Sequence, residues 1–179
     1  RYVNVFTKGA IMPKIIENLE SRILAEARKQ IEASGYGAMT IRSVAKECGV
    51  GIGTVYNYFP SKDALVASYM LQDWKSCLEV ITRVSREADS PECIVRCMFD
   101  QLKLYTVRHQ ALFLDDPAAA VFAESFSRYH TILRRQLAEP LLKYCGSEFA
   151  GEFVAEALLT WTMAGIEFDE LYGMIRKLF

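Results

Sequence analysis

After Met12 the apolar residues recur at steps of three and four along almost the whole chain. Ile16, Leu19, Ile23, Ala27 and Ile31 fall on one stripe, which predicts an amphipathic helix from about Pro13 to Ser34. Gly35 and Gly37 end it, because glycine accepts the left-handed conformation that closes a helix. Thr40 then caps a short helix through its hydroxyl, with Ile41, Val44, Ala45 and Cys48 facing inward. Gly49-Val50-Gly51 breaks the chain, and a second short helix covers Ile52 to Phe59 before Pro60 stops it. Ser61 caps a long helix carrying Leu65, Val66, Tyr69, Met70, Cys77, Ile81 and Val84. Asp89-Ser90-Pro91 restarts the chain with a serine cap and proline at the first helical position. The helix that follows presents Val95, Met98, Phe99, Leu102 and Tyr105, and a short connection with one turn at Gln110–Leu114 comes next. Asp116-Pro117 starts a helix with Val121, Phe122, Phe126, Tyr129 and Leu133, which Pro140 ends. Gly146-Ser147 opens another, reaching about Gly165, and the last runs from about Glu167 to Leu178. No segment alternates apolar and polar residues long enough to predict a strand, so the expected fold class is all-α.

Two short helices joined by a tight glycine-containing turn, Thr40–Phe59, have the form of a helix-turn-helix. Turning 100° per residue from Val55 brings Phe59 and Ile52 within about 60° of it, so those three are expected to face the core. Gly53, Thr54, Asn57 and Tyr58 fall on the other side, with Tyr56 on the flank. Such a helix can lie in the DNA major groove with its first turns against base edges. Asn57 suits an adenine edge, Thr54 a thymine methyl or a phosphate, and Tyr58 a phosphate oxygen. Gly53 lets backbone approach closely. Thr40, Arg42 and Lys62 lie at or near helix N-termini, where free N–H groups already favour an anion, and are expected to hold phosphates.

From about Ile23 to Val66 the chain resembles the N-terminal domain of TetR-type transcriptional repressors. The resemblance is carried by Gly35-Tyr36, Thr40-Ile-Arg-Ser-Val-Ala, Cys48-Gly-Val, Gly53-Thr-Val-Tyr-Asn-Tyr-Phe and Ser61-Lys-Asp-Ala-Leu, in that order. It implies that Gly53, Thr54, Tyr56, Asn57 and Tyr58 sit on the DNA-reading helix and that Thr40, Arg42 and Lys62 hold phosphates. Two departures stand out: Gly51 replaces a frequent Ser or Thr cap, and Ile52 replaces a frequent polar or basic residue. The reading helix therefore carries no Lys or Arg, and weaker nonspecific DNA affinity is expected, since phosphate neutralisation supplies most of that term.

The resemblance also implies that the helices after Tyr69 bind a small-molecule effector and make a homodimer. Phe99, Leu102, Tyr105 and Phe113 are large groups suited to a pocket or a core. Phe122, Phe126, Tyr129 and Trp161 extend the set on later helices. Charged candidates near them are scarce: Glu124, Arg128, His109 and His130 are read as solvated or satisfied, which favours an apolar, aromatic or cationic ligand. For the dimer, Phe149, Phe153, Ala157 and Trp161 mark one side of the Ser147–Gly165 helix, and Leu159, Met163 and Ile166 the other. A helix apolar on both sides must be covered on both. Phe168, Leu171, Tyr172, Ile175 and Leu178 of the last helix complete an expected four-helix interface, two helices from each copy; the alternative is a monomer that covers these sides itself.

Charge sharpens the division. The whole chain has 21 Lys+Arg against 22 Asp+Glu, a formal net charge of −1. Residues 1–62 hold nine basic and five acidic side chains, whereas 63–179 hold twelve and seventeen. A basic reading domain, residues 1–64, is thus expected before an acidic effector-binding and dimerisation domain, residues 65–179. Met12-Pro13 offers a second start, which would make Arg1–Ile11 upstream or vector sequence. The longest stretch free of Asp, Glu, Lys and Arg is Cys48–Ser61, 14 residues, too short and glycine-rich for a membrane span. Cys48, Cys77, Cys93, Cys97 and Cys145 include no Cys-x-x-Cys pair and no secretory signal precedes them, which fits buried free thiols in the cytoplasm. Gly-rich phosphate loops, His-Glu-x-x-His and Gly-x-Ser-x-Gly are all missing, so no catalytic residue, cofactor or metal is expected. The leading reading is a DNA-binding regulator on a palindromic double-stranded operator. A helical small-molecule-binding protein or a bundle enzyme without DNA function is the alternative.

Overall fold

The computed structural model describes residues 18–113 and 129–179. The expectations for Arg1–Ile11 and for Phe122 and Phe126 lie outside the described residues. Helix α1 spans Leu19–Ala38 and buries Ile23, Ala27 and Ile31 as one stripe. Gly35, at φ 80° and ψ 165°, interrupts its helical path and leaves a separate last turn. Helices α2 (Ile41–Glu47) and α3 (Ile52–Tyr58) are seven residues each, too short to persist alone. Helix α4 (Lys62–Glu87) has 26 residues and α5 (Pro91–Phe113) has 23. Residues 129–138 form the described part of α6, which passes into a 3-10 turn at Glu139–Leu141 where Pro140 ends regular helix. Helix α7 (Glu148–Met163) and helix α8 (Phe168–Ile175) follow, parted by Gly165 at φ 81°. Among the described residues there is no strand, and no helix is long and apolar enough to cross a membrane.

The buried side chains make two clusters. The first gathers α1, α2, α3 and the start of α4, with Ile23, Ala27, Val44, Val55, Leu65 and Val66 at its centre. Leu112, near the end of α5, also belongs to it. The second gathers the rest of α4 with α5, α7 and α8 around Ile81, Ile94, Met98, Leu158 and Leu171. Leu137 and Leu141 close it from α6 and the following turn.

Where the two clusters meet, α4 carries a charge inward. Asp73 is buried, and Nη2 of Arg28 on α1 donates to both of its carboxylate oxygens at 2.8 Å. His109 of α5 is 2% exposed, with Nε2 3.1 Å from the same carboxylate. Arg108 approaches at 3.9 Å. The imidazole stacks on Tyr69 (centroids 5.6 Å apart) and lies 4.4 Å from the Tyr105 ring. Burial pushes its pKa down to about 4, against the opposing pull of Asp73. Of the two readings open to His109, solvated or satisfied by a partner, the second holds: it is a core residue beside Asp73. One expectation is corrected: α5 runs unbroken to Phe113 without a connection near Gln110. The reason is non-local: α5 is held at His109 and Leu112 by partners far away in sequence. The thiols also differ from expectation. Cys48 and Cys77 are buried, and burial raises both pKa values, but Cys93 is exposed; all five cysteines are free.

Candidate nucleic-acid interface

Short local devices set the orientation of α3. The Ser43 amide donates to Thr40 Oγ1 (3.0 Å) and the Thr40 amide donates to Ser43 Oγ (3.1 Å), a reciprocal box that closes the start of α2. Ser43 Oγ also reaches Gln30 Oε1 of α1 at 2.5 Å. At the other end of α2, Arg22 Nη2 donates to the Cys48 carbonyl (3.2 Å), where the helix leaves its carbonyls unpaired. Gly49, at φ 68°, makes the turn into α3. Val55 and Phe59 then bury against the first core. Each withdraws roughly 1.5–3 kcal/mol worth of apolar side chain from water, which holds a helix this short in place.

With those two inside, Gly53, Tyr56, Asn57 and Tyr58 are exposed and Thr54 is half-buried. Thr40 and Arg42 of the preceding helix are exposed as well. Two residues differ from expectation. Ile52 is 39% exposed and does not reach the core. A helical wheel gives its direction but not its depth, and one turn before Val55 the helix has run past the packing that covers Val55. Lys62 is half-buried and engaged within the chain: Nζ donates to the Tyr36 carbonyl at 2.5 Å and sits 3.9 Å from the Tyr36 ring centroid. The Tyr36 hydroxyl donates to Asp63. Lys62 thus ties the Gly35-Tyr36 turn to the start of α4, where Ser61 Oγ accepts from the Ala64 amide at 3.0 Å.

The profile of bacterial regulatory proteins of the tetR family matches residues 23–69, from α1 into α4. The chain carries the N-terminal helix-turn-helix domain of the tetR family. It is similar to the HTH-type transcriptional regulator UidR of Escherichia coli (strain K12), 34% identical over 58 residues, which are 32% of this chain and 30% of UidR. It is also similar to the HTH-type transcriptional repressor KstR of Mycolicibacterium smegmatis, 29% identical over 123 residues, 69% of this chain and 60% of KstR. The matched stretches therefore cover between 30% and 60% of these two relatives. In three dimensions the chain resembles FadR of Thermus thermophilus, a TetR-family transcriptional repressor in complex with lauroyl-CoA. The TM-score is 0.60 at 22% identity, over 89% of this chain and 92% of that one. The likeness is one of fold: a helix-turn-helix unit followed by a helical C-terminal domain.

Beyond the tetR domain, the described residues expected to line a pocket divide: Phe99, Leu102 and Tyr105 share the second core, while Tyr129 and Trp161 do not. Phe99 and Leu102 are buried, and Phe99 packs edge-on against Phe168 at 5.4 Å. Tyr105 is half-buried, edge-on to Trp74 at 5.8 Å. Tyr129 and Trp161 are exposed. Two open grooves are present elsewhere, one along α4 at Leu78, Thr82 and Arg86, the other between α1 and α2 at Gln30, Met39 and Ser43; neither touches these aromatics.

The expected dimer residues divide. Ala157, Leu159, Leu171 and Ile175 are buried within their own chain, because α7 packs on α5 and α8, and so cannot meet a partner. Ile166 is half-buried. Phe153 and Met163 are exposed, and the uncovered side of α7 extends to Phe149, which is 77% exposed. At about 100° per residue Phe149, Phe153 and Met163 fall within about 80° around the α7 axis, so Met163 joins the side of Phe149 rather than the opposite side expected for it, and Met174 of α8 is exposed too.

Sequence reasoning missed Arg22 and the Arg28–Asp73–His109 cluster. A charged residue inside an apolar stripe was the available signal for Asp73, but nothing local marks its partners.

Proposed function

We propose that this chain is a DNA-binding transcriptional regulator, a ligand-responsive repressor that binds a palindromic operator as a homodimer in the cytoplasm. In this reading it is not an enzyme. Residues 1–64 read DNA, and residues 65–179 bind a small-molecule effector and join two copies. The observation that carries the proposal is the outward face of α3, where Gly53, Tyr56, Asn57 and Tyr58 are exposed while Val55 and Phe59 anchor the helix from behind. Asn57 pairs with an adenine edge, Thr54 and Tyr56 contact bases or sugars beside it, and Tyr58, Thr40 and Arg42 hold phosphates. The second copy docks on the apolar stripe of α7. There Phe149, Phe153 and Met163, joined by Met174, give the exposed patch a partner. An effector bound among the C-terminal helices, with Phe122 and Phe126 in its pocket, favours a dimer whose reading helices are wrongly spaced. It acts by binding that state more tightly than the DNA-bound one.

Selection of duplexes from a random pool on the full chain tests this. The expected product is an inverted repeat whose half-sites are about one helical turn apart, roughly 34–36 Å, or a multiple of it. Arg42→Ala and Tyr58→Phe should each weaken binding to that duplex. A folded protein that enriches no sequence at low salt would end the reading.

A further inference from the structure

Ile52 stands out on the surface of α3. It is a large apolar side chain, 39% exposed, beside Tyr56, which is 48% exposed. The two are four residues apart and therefore adjacent on the helix surface, with Gly53 and Asn57 forming the next column. Among the described residues both side chains stay partly open to solvent, and no Lys, Arg, Asp or Glu occurs from Cys48 to Ser61. The face offers apolar area and amide and hydroxyl groups, with no formal charge.

A separate observation comes from Gly53. It is helical, its φ is not in the left-handed region, and a Cβ built on it would meet nothing within 4 Å. Glycine inside a helix costs stability relative to alanine, and neither backbone conformation nor internal packing asks for it here. Gly49 differs, since its φ of 68° requires it. Gly53 is thus left with open space beside it on the outward face of α3.

An uncharged, partly apolar surface with an adjacent carboxamide matches the thymine-adenine edge in the major groove. There the thymine 5-methyl is the one apolar group, next to hydrogen-bonding positions of the base pairs. We propose that Ile52 is a specificity-determining residue whose side chain packs on a thymine 5-methyl in each operator half-site. The absent side chain at Gly53 lets the helix approach to that depth. This rests on the DNA-binding reading above and goes beyond it by naming the base and the group on it.

The probe is the duplex selected on the full chain, resynthesised with deoxyuridine in place of each thymine in turn, which removes the methyl and nothing else. One thymine per half-site should show about a four-fold loss of affinity, the worth of roughly one methyl group taken out of water. With Ile52→Ala, thymine and uracil at that position should bind alike, while Ile52→Val keeps most of the discrimination. Because Ile52 lies outside the core, the alanine variant should unfold at the wild-type temperature. The proposal is overturned if no uracil substitution matters, or if Ile52→Ala retains the full ratio. Failure to select any sequence would remove the DNA-binding reading as well, whereas selection with methyl discrimination indifferent to Ile52 removes this inference alone.

Discussion

Around Val55 the chain is held by caps three residues long and by hydrogen bonds spanning 26 residues, whereas around Leu158 it is held by contacts between more distant segments. Thr40 with Ser43 and Ser61 with Ala64 each close within three residues. In the C-terminal half, Trp74 Nε1 donates to Gln136 Oε1 (2.8 Å) across 62 residues. The Tyr144 hydroxyl reaches the Ala88 carbonyl at 2.7 Å across 56, and Phe99 meets Phe168. The difference has a consequence for function. A reading helix packed through Val55 and Phe59 between two side-chain-capped neighbours keeps its face when the C-terminal helices shift. A domain assembled from remote contacts can change its packing without dismantling that face. The Asp73 cluster and Leu112 are where the two regions share an interior.

Removing the shared joint should have the largest effect. Asp73→Ala leaves Arg28 and His109 without their carboxylate and should cost about 3–4 kcal/mol in denaturant unfolding, in both regions at once. If only the C-terminal signals shift, the cores are less coupled than their shared interior implies. Acid probes the same joint more gently. The unfolded histidine takes up a proton near pH 6.5, but buried His109 refuses one until about pH 4. Its contribution is thus complete above pH 6.5 and lost as pH falls toward 4, by up to about 3 kcal/mol. Its surroundings are Asp73, Arg28, Arg108, Tyr69 and Tyr105. His109→Gln should flatten that slope relative to the native chain.

Paired cap deletions sharpen the comparison. Thr40→Ala and Ser147→Ala each remove an N-cap and should each cost about 1 kcal/mol. Only Thr40→Ala should weaken DNA binding as well; equal losses of affinity would mean that the reading face depends on the whole fold. The smallest stability change should run the other way. Gly53→Ala is expected to gain up to about 1 kcal/mol, because the new methyl meets open space, and yet to weaken DNA binding.

The same contrast decides what could be read from the residues. Thr40, Ser61 and Ser147 announce their helices because a cap and its helix are neighbours in sequence. The Gly35 break, the Pro140 stop and the inward face of α2 were legible for the same reason. The α3 face was legible except at Ile52, where the angle around the axis said nothing of how far the covering helices extend. Remote pairing defeated the rest. Which partner His109 would find was not legible and α5 looked shorter, since Asp73 lies on another helix 36 residues away. Leu159, Leu171 and Ile175 were assigned to a partner because periodicity identifies a face that must be covered without saying by whom.

Asp73 lies near the middle of helix α4, so a rigid tilt about it would move both ends of the helix. Lys62 lies eleven residues from Asp73, about 16 Å along the axis. A tilt of about 5° at that point would carry the start of α4, with the Tyr36 strap on it, some 1.4 Å sideways. In a two-fold pair the displacement occurs twice in opposite senses, so the reading helices would separate or converge by about 3 Å against a half-site spacing of roughly 34 Å. In the proposed dimer, a rotation of that size would put the two faces out of phase with the double helix.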